Sequence, residues 1–194
     1  MIGMKTKEKL LAAAMKLFME KGYENTTVQE IADLAGVTER TFFRQFKTKP
    51  DVLFDTNNEM GQQMAAFLTD HLDVEKDPLK LAVDGFVSIS GFFDRSKERV
   101  QARNRIIQNN PDLQERELLK GQTLIASITD ALTARYDRDL SELAARLAVE
   151  IFHMAFIRWM HHAEKTLAEQ LLTVYELYEN SFGRAAHLRT AENE

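Results

Sequence analysis

The sequence predicts an all-α protein of about nine helices. Apolar residues recur at the 3.6-residue helical period along most of the 194 residues, capping signals separate these segments, and none alternates like a β-strand. Apolar residues make up 44% of the chain, but no uninterrupted run approaches the ~18–20 residues of a membrane span. Cysteine is absent and the N-terminus shows no secretory signal, so we expect a cytoplasmic protein without disulfides.

Local signals delimit the first two helices. Residues 5–21 place apolar side chains on one face, and Gly22 ends that helix. Thr27 and Glu30 have the Thr-x-x-Glu spacing of a capping box, which satisfies two backbone donors where the second helix begins. Gly36 then supplies the positive φ at which many helices end.

A short third helix follows this turn. Thr38 is its predicted N-cap, and Phe42 lies four residues later, where it can pack against Val37. Two helices joined by a tight turn are typical of a helix-turn-helix, whose second helix enters the major groove of DNA. The three helices are predicted to share one core, formed by Leu10, Leu17, Phe18, Val28, Ile31, Phe42 and Phe46.

The rest of the chain is predicted to be helical as well. Thr48 and Asp51, the pair Asp77-Pro78 and the pair Asn110-Pro111 are capping signals. The predicted helices span about residues 49–71, 78–94, 96–108, 111–135, 139–163 and 166–188, and the tail beyond them is expected to fray. The inner face of the 78–94 helix is predicted to hold Leu81, Val83, Phe86, Ile89, Phe92 and Phe93.

Charge is distributed unevenly along the chain. The net charge is −5, from 25 Lys/Arg and 30 Asp/Glu. Residues 1–50 hold nine Lys/Arg against six Asp/Glu, a balance of +3, which leaves −8 for the remainder. A basic end on an acidic body is expected when only that end meets phosphates, although so modest a charge also fits an ordinary solvated surface.

The segment from Lys5 to Phe54, above all TVQEIADLAGVTERTFFRQFKTKPDVL, resembles the N-terminal domain of the tetracycline-repressor (TetR) family. The resemblance has no gap and includes both glycine turns, Phe46 and Lys49. It implies a DNA-binding domain over residues 1–48 and an effector-binding and dimerisation domain over residues 49–194. Many members have a tyrosine where this chain has Phe43, so that tyrosine's phosphate contact does not carry over and an apolar contact is expected instead.

Arg40 and Thr41 are the predicted base readers, because they lie in the first turn of the third helix. Arginine can bind guanine O6 and N7 together, and threonine offers a hydroxyl and a methyl group. Glu39 would accept from cytosine N4 or orient Arg40, and Thr38 is both cap and candidate phosphate donor.

Four more residues are predicted to contact the DNA backbone. Thr27 and Lys49 look placed for phosphates as their counterparts in the family are. Arg44 and Lys47 can bind phosphates too, although each is equally well explained as a solvated surface charge.

Large apolar side chains in the body predict a pocket for a hydrophobic, uncharged or weakly acidic effector, although each alone fits ordinary core. Asn104, Gln122, His153 and Arg158 are candidate polar anchors. The predicted pocket residues are Met60, Met64, Phe67, Phe86, Phe93, Asn104, Gln122, Phe152, Phe156 and Trp159.

The 139–163 helix is apolar over more than one face, so it must be covered on two sides. The plainer interpretation is the buried central helix of a monomer; the sharper one, which the resemblance implies, is a homodimer interface of four helices. The predicted interface residues are Leu147, Ile151, Ala155, Leu171, Val174, Tyr178 and Phe182.

Enzymatic chemistry is poorly supported. Glu150 and His153 form one Glu-x-x-His pair, but a di-iron bundle needs two, and neither a nucleophile elbow nor a phosphate loop is found. We predict no catalytic residue, metal or cofactor.

These observations predict a ligand-released, homodimeric transcriptional repressor that binds a palindromic operator in double-stranded DNA and is therefore nucleoid-associated. One alternative is a DNA-binding protein without an effector, which acts architecturally or through a partner. Another is an all-α enzyme or carrier with a vestigial DNA-binding domain.

Overall fold

The computed structural model describes residues 5–54, 57–162 and 164–183. All regular secondary structure in these residues is helical, which confirms the all-α prediction. The helices are α1 (Thr6–Lys21), α2 (Val28–Ala35), α3 (Glu39–Gln45), α4 (Asp51–Phe54), α5 (Asn57–His71), α6 (Pro78–Arg95), α7 (Lys97–Gln108), α8 (Pro111–Leu132), α9 (Arg138–His161) and α10 (Leu167–Tyr178), followed by a π-helical turn, Glu179–Gly183.

The predicted capping signals lie where helices begin and end. Glu30 accepts from the Thr27 backbone N–H at 2.9 Å, while the Thr27 hydroxyl accepts from the Glu30 backbone N–H at 3.2 Å. Gly36 has φ 70° and ends α2 in the left-handed conformation. Asp77 caps α6 by accepting from the Leu79 backbone N–H at 2.8 Å. Side-chain hydrogen bonds of this kind satisfy donors that the first helical turn leaves open.

The first of two compact units comprises Met1–Glu59 and Glu98–Lys120. Its core contains the predicted Leu10, Phe18, Ile31, Phe42 and Phe46, and Leu17 and Val28 pack against it while remaining partly buried. Val52, Leu53, Ile106, Ile107 and Leu113 also belong to this core.

Residues of α7 and α8 contribute to the core of the first unit. Ile106, Ile107 and Leu113 follow residue 48 by more than fifty positions, yet they share the core of the first three helices. The predicted boundary between residues 48 and 49 is a division by function and stays a prediction.

The second unit comprises Met60–Lys97 and Gly121–Glu194, and α6, α9 and α10 pack against one another within it. The inner face of α9 is rich in small residues, which lets neighbouring helices approach closely. The buried residues of α9 are Ser141, Ala144, Ala145, Ala148, Ile151, Ala155 and Trp159.

Some predicted element details differ from the structure. The single helix predicted over 49–71 corresponds to α4 and α5, and the residues that would join them, 55 and 56, lie outside the described residues. Phe92 was predicted on the inner face of α6 but is 45% exposed. The ends predicted at residues 163 and 188 also lie outside the described residues.

Candidate nucleic-acid interface

One face of α3 is exposed and carries four of the predicted DNA-binding residues. Glu39, Arg40, Phe43 and Arg44 are all exposed and recur at the spacing of a single helical face. Phe42, on the opposite side, is fully buried in the core of the first unit. The burial of Phe42 fixes the rotation of α3, so the charged residues point away from the core.

The cations on this surface are not used inside the protein. Within the described part of the chain, the side chains of Arg40, Arg44 and Lys47 make no ion pair or hydrogen bond. Unpaired exposed cations can bind phosphates or base edges without first breaking an internal contact.

Phe43 gives this surface an apolar contact point. Its side chain is 51% exposed, and its ring lies edge-on to that of Phe42 with centroids 5.4 Å apart. The buried Phe42 ring therefore holds Phe43 in place. A ring held in this way can cover a thymine methyl group or deoxyribose, but it cannot donate a hydrogen bond to phosphate.

The two threonines at the start of α3 bind each other. The Thr38 hydroxyl accepts from the Thr41 backbone N–H at 3.2 Å, and the two hydroxyl oxygens are 3.1 Å apart. Thr38 therefore acts as the N-cap, as predicted. Only one of the two hydroxyls can donate in this pair, which leaves the other free to donate to DNA.

Lys49 has an internal role that the sequence did not indicate. Its ammonium group donates to the backbone carbonyls of Tyr23 at 2.9 Å and Thr26 at 3.0 Å, and lies 4.2 Å from the centre of the Tyr23 ring. Lys49 thereby ties the α1–α2 loop to the segment before α4. Two of its three N–H donors are occupied, so one remains for a phosphate.

A shallow depression of about 390 Å³ adjoins Lys49 in the first unit. Lys49 and Arg116 bring two positive charges to its wall, and Glu24 and Asp112 bring two negative charges. The balanced charges give it no electrostatic preference for an anion. Its other lining residues are Tyr23, Thr48, Pro50 and Leu113. Burial raises the pKa of Tyr23 to about 12, so its hydroxyl stays neutral.

Glu30 anchors the start of α2. Its carboxylate forms an ion pair with Lys21 and accepts from the Thr27 hydroxyl at 3.2 Å. The Lys21 hydrogen bond and the Thr27 backbone N–H lower the pKa of Glu30 to about 2. Glu30 is therefore ionised at physiological pH, and its charge suits a helix N-terminus.

Five of the ten predicted pocket residues form a packed aromatic cluster in the second unit. The Phe86 and Phe152 rings stack with centroids 4.7 Å apart, and Phe93 contacts Phe152 at 5.7 Å. Phe156 and Trp159 extend the series, with centroids 5.6 Å apart.

The other predicted pocket residues differ in their positions. Met64 is fully buried, and its Sδ lies 3.1 Å from where a Cβ on Gly85 would be. Met60 and Phe67 are partly buried, Gln122 is exposed, and Asn104 belongs to the first unit rather than the second.

The predicted dimer interface needs a correction. Ile151, Ala155, Leu171 and Val174 are buried inside the chain, where α9 packs on α6 and α10, so they are not available to a partner. Leu147 and Tyr178 are partly buried, and Phe182 is 70% exposed. Both apolar faces of α9 have the same helical period, and the prediction chose the inner one.

Other chemistry finds little support in the described residues. Glu150 and His153 lie 3.9 Å apart, but no group of three His, Asp or Glu side chains converges there as a metal-binding set. None of the helices in the described ranges has the length and apolar character needed to span a membrane.

The inner face of α3 is buried in the core, its outer face is exposed and cationic, and a left-handed glycine turn joins it to α2. These features define a helix-turn-helix DNA-binding protein. Residues 10–56 match the family described as "Bacterial regulatory proteins, tetR family". Over these residues the chain is similar to DNA-binding transcriptional regulators of the TetR family.

Individual relatives match either most of the chain at low identity or a short segment at higher identity. The regulator TcmR of Streptomyces glaucescens is 28% identical over 155 residues, which cover 76% of this chain and 68% of TcmR. The uncharacterised regulator YvkB of Bacillus subtilis is 52% identical, but over only 44 residues, 23% of each chain.

A solved structure shows the same fold over most of the chain. FadR of Thermus thermophilus, a TetR-family repressor crystallised with lauroyl-CoA, superposes with a TM-score of 0.53. The two are 23% identical, and the match covers 88% of this chain and 92% of FadR.

Proposed function

We propose that this regulator is a homodimeric repressor, that it binds an inverted repeat, and that a hydrophobic small molecule releases it from DNA. The observation that carries the proposal is the exposed face of α3, where Arg40 and Arg44 are unpaired while Phe42 fixes the helix on the core. In this proposal Arg40, Thr41 and Glu39 read bases, and Thr27, Thr38, Phe43, Arg44, Lys47 and Lys49 contact the DNA backbone.

The outer face of α9 supports a dimer. Its apolar residues follow a three- and four-residue spacing, the pattern with which helices pack along one another. Exposed apolar surface of this extent is costly in a monomer and marks an interaction site. The stripe consists of Leu140, Leu143, Leu147, Met154 and Ile157, and Leu172, Leu177 and Phe182 add exposed apolar side chains on α10 and the π-helical turn.

Two identical chains would satisfy this stripe without a second partner. A two-fold dimer buries the same surface on both copies and presents two α3 helices to successive major grooves. Tyr178 and Phe182 stay in the proposed interface together with Leu147.

Effector release is supported by the large apolar side chains of the second unit and by the lauroyl-CoA complex of FadR. A ligand that enters between Phe86, Phe93, Phe152 and Phe156 would move α5 and so change the spacing of the two α3 helices. Such a ligand must prefer the spacing that does not fit DNA, because only differential affinity shifts the equilibrium.

A regulator without an effector is the second candidate. It is favoured by the close packing of the second unit, in which Met64, Phe86 and Trp159 are fully buried. Such a protein would repress until a protein partner displaced it.

Selection from a random duplex library tests the proposal, followed by affinity for the winning sequence at two salt concentrations. We expect an inverted repeat whose affinity falls steeply with salt, because several phosphates are neutralised. Enrichment of a single half-site would contradict the dimer, and no enrichment at low salt would contradict the sequence reader.

A further inference from the structure

The hydroxyl of Thr129 is enclosed within the second unit and has no hydrogen-bond partner among the described residues. Thr129 lies on α8 and is 3% exposed, and its neighbours Ile128 and Leu132 on the same helix are fully buried. An enclosed hydroxyl has given up its hydrogen bonds to water, so the lack of a partner lowers the stability of the folded state. Such groups are rare in folded proteins, and each one calls for a cause.

Other hydroxyls on the helices of the second unit donate to a backbone carbonyl three or four residues back. The buried Ser90 donates to the Val87 carbonyl and the buried Ser141 to the Asp137 carbonyl, each at 2.7 Å. The same kind of bond is made by Thr69, Ser88, Ser127 and Thr173. The backbone of α8 offers this bond to Thr129 as well, and Thr129 does not make it.

Two contacts show that α5 and α8 run side by side in the same direction within the second unit. The Ser127 hydroxyl oxygen lies 3.8 Å from where a Cβ on Gly61 would be. Beyond the C-terminal ends of both helices, Arg135 donates to the Leu72 carbonyl at 2.6 Å. Residues that follow Gly61 on α5 therefore stand beside residues that follow Ser127 on α8.

Met64 lies at nearly the same height as Thr129 and can make room beside it. Thr129 is two residues beyond Ser127 and Met64 is three residues beyond Gly61, which corresponds to about 3 and 4.5 Å of helix rise. The Met64 side chain fills the notch at Gly85 on α6, with its Cε 2.9 Å from where a Cβ would be. Methionine is unbranched and adapts readily, so a ligand that displaced Met64 would lie at the level of the Thr129 hydroxyl.

The group that Thr129 can receive is uncharged. A hydroxyl can donate one hydrogen bond and accept others, but burying a charge costs far more than one such bond returns. The buried polar residues of the second unit carry no charge that could compensate; they are Ser90, Thr129, Ser141 and Gln170. A carbonyl or hydroxyl oxygen on an apolar molecule fits these surroundings.

We propose that Thr129 is the polar anchor of the effector site, and that the effector is an apolar molecule with an uncharged carbonyl or hydroxyl oxygen. The inference rests on the effector response in the proposed function and names the chemistry of the ligand. In the complex, the Thr129 hydroxyl gains the hydrogen bond that it lacks in the free protein. A bound oxygen should therefore be preferred over an apolar group of the same shape.

Thr129→Val tests the anchor without any ligand, because valine keeps the shape of threonine and removes the hydroxyl. We expect the melting temperature to rise by about 2–4 °C, since an unsatisfied buried group is replaced by an apolar one. The control is Thr133→Val, which removes a hydroxyl that donates to the Asp130 carbonyl at 2.7 Å and should not raise the melting temperature. A melting temperature of Thr129→Val at or below that of wild type would show that the hydroxyl has a partner in the free protein, and the inference would be wrong.

Pairs of probes that match in shape and differ in one oxygen test the ligand class. The pairs are benzyl alcohol with ethylbenzene and acetophenone with α-methylstyrene, and calorimetric titration gives each affinity. We expect wild type and Thr129→Ser to bind the oxygen-containing member of at least one pair about tenfold or more tightly than the other member. Thr129→Val should reduce that preference to less than about threefold while still binding the apolar member.

The outcomes separate the inference from the proposed function. Equal affinities within both pairs for wild type, or a preference that Thr129→Val retains, would overturn the anchor and leave the dimeric repressor untouched. Failure of wild type to bind any of the probes would also overturn it. If the preference depends on Thr129 but library selection yields no inverted repeat, the proposed function fails and the anchor stands.

Discussion

Arg40 and Arg44 keep their guanidinium groups free on the outer face of α3, whereas Lys49 uses two of its three donors within the first unit. These cations therefore differ in what their removal should do. Removing an arginine that has no internal partner should leave the stability of the fold unchanged and weaken binding to DNA. Removing a lysine that donates to two backbone carbonyls should first lower the stability of the folded state.

Arg40→Ala should weaken binding to the selected operator by ~1–3 kcal/mol and relax preference at one base pair, because a bidentate guanine contact is lost. Affinities for the operator and its single-base variants measure both effects. Arg44→Ala is the matched control, and it should weaken all sequences by a similar factor. If Arg40→Ala loses the same affinity for the operator as for random DNA, Arg40 does not read a base.

Lys49→Ala should destabilise the protein by ~1–3 kcal/mol, because the Thr26 carbonyl loses its ammonium donor and the Tyr23 ring loses its cation. Urea unfolding measures the change. Lys47→Ala, which removes an exposed lysine two residues away, should leave stability within about 0.5 kcal/mol. If Lys49→Ala unfolds like wild type and only reduces the salt dependence of DNA binding, its phosphate role is the principal one.

Glu30→Gln should lower the melting temperature at pH 7. It should also reduce the fall in melting temperature that acid causes. The pKa of Glu30 falls from 4.5 in the unfolded chain to about 2 in the fold. Its stabilisation is therefore complete above about pH 4.5 and disappears as the pH falls towards 2. Melting curves from pH 7 to 2 measure the difference, with the exposed Glu20→Gln as control. Parallel pH profiles for wild type and Glu30→Gln would contradict this role.

At the scale of elements, the helix caps could be predicted from the sequence, but which face of α9 is buried could not. Thr27, Gly36, Thr38 and Asp77 act on neighbours within four residues, so sequence spacing contains the necessary information. The two faces of α9 have the same period, and only the packing of α6 and α10 decides which one is inside. Small residues such as Ala144, Ala148 and Ala155 mark the inner face, because they permit close approach.

The exposed stripe on α9 leads to a test of the dimer. Leu143 is 55% exposed, and Leu143→Glu would place a charge in the proposed interface, where it loses water without gaining a partner. We expect this variant to sediment as a monomer and to lose the inverted repeat while keeping its melting transition. Leu118→Glu, at a residue 72% exposed on α8, is the control and should stay dimeric. A dimeric Leu143→Glu variant would exclude this stripe as the interface.

At the scale of the whole molecule, the sequence predicted a basic N-terminal region on an acidic body but not where the packing boundary lies. Ile106, Ile107 and Leu113 join the core of the first unit although they belong to α7 and α8. Contacts between residues so distant in sequence leave no local spacing signal. The pocket prediction has the same weakness, since large apolar residues look alike in a filled core and around a cavity.

Release from DNA by an effector can be tested with the protein's single tryptophan. Trp159 is fully buried, donates from Nε1 to Asp94 at 2.8 Å and lies 5.6 Å from the Phe156 ring. A ligand that enters this aromatic cluster should therefore change its emission, and the same ligand should release the operator. Lauroyl-CoA and a panel of uncharged hydrophobic compounds are suitable probes, with free coenzyme A as control.

Linkage makes this last test quantitative. If the ligand weakens operator binding by some factor, the operator must weaken ligand binding by the same factor, because both report one coupling free energy. Titrating Trp159 emission with and without operator gives one value, and titrating operator with and without ligand gives the other. Equal factors of roughly 5- to 150-fold would establish effector-controlled release. A ligand that binds but leaves operator affinity unchanged would show that occupation of the cluster does not control DNA binding. That result would favour a regulator that responds to a protein partner instead.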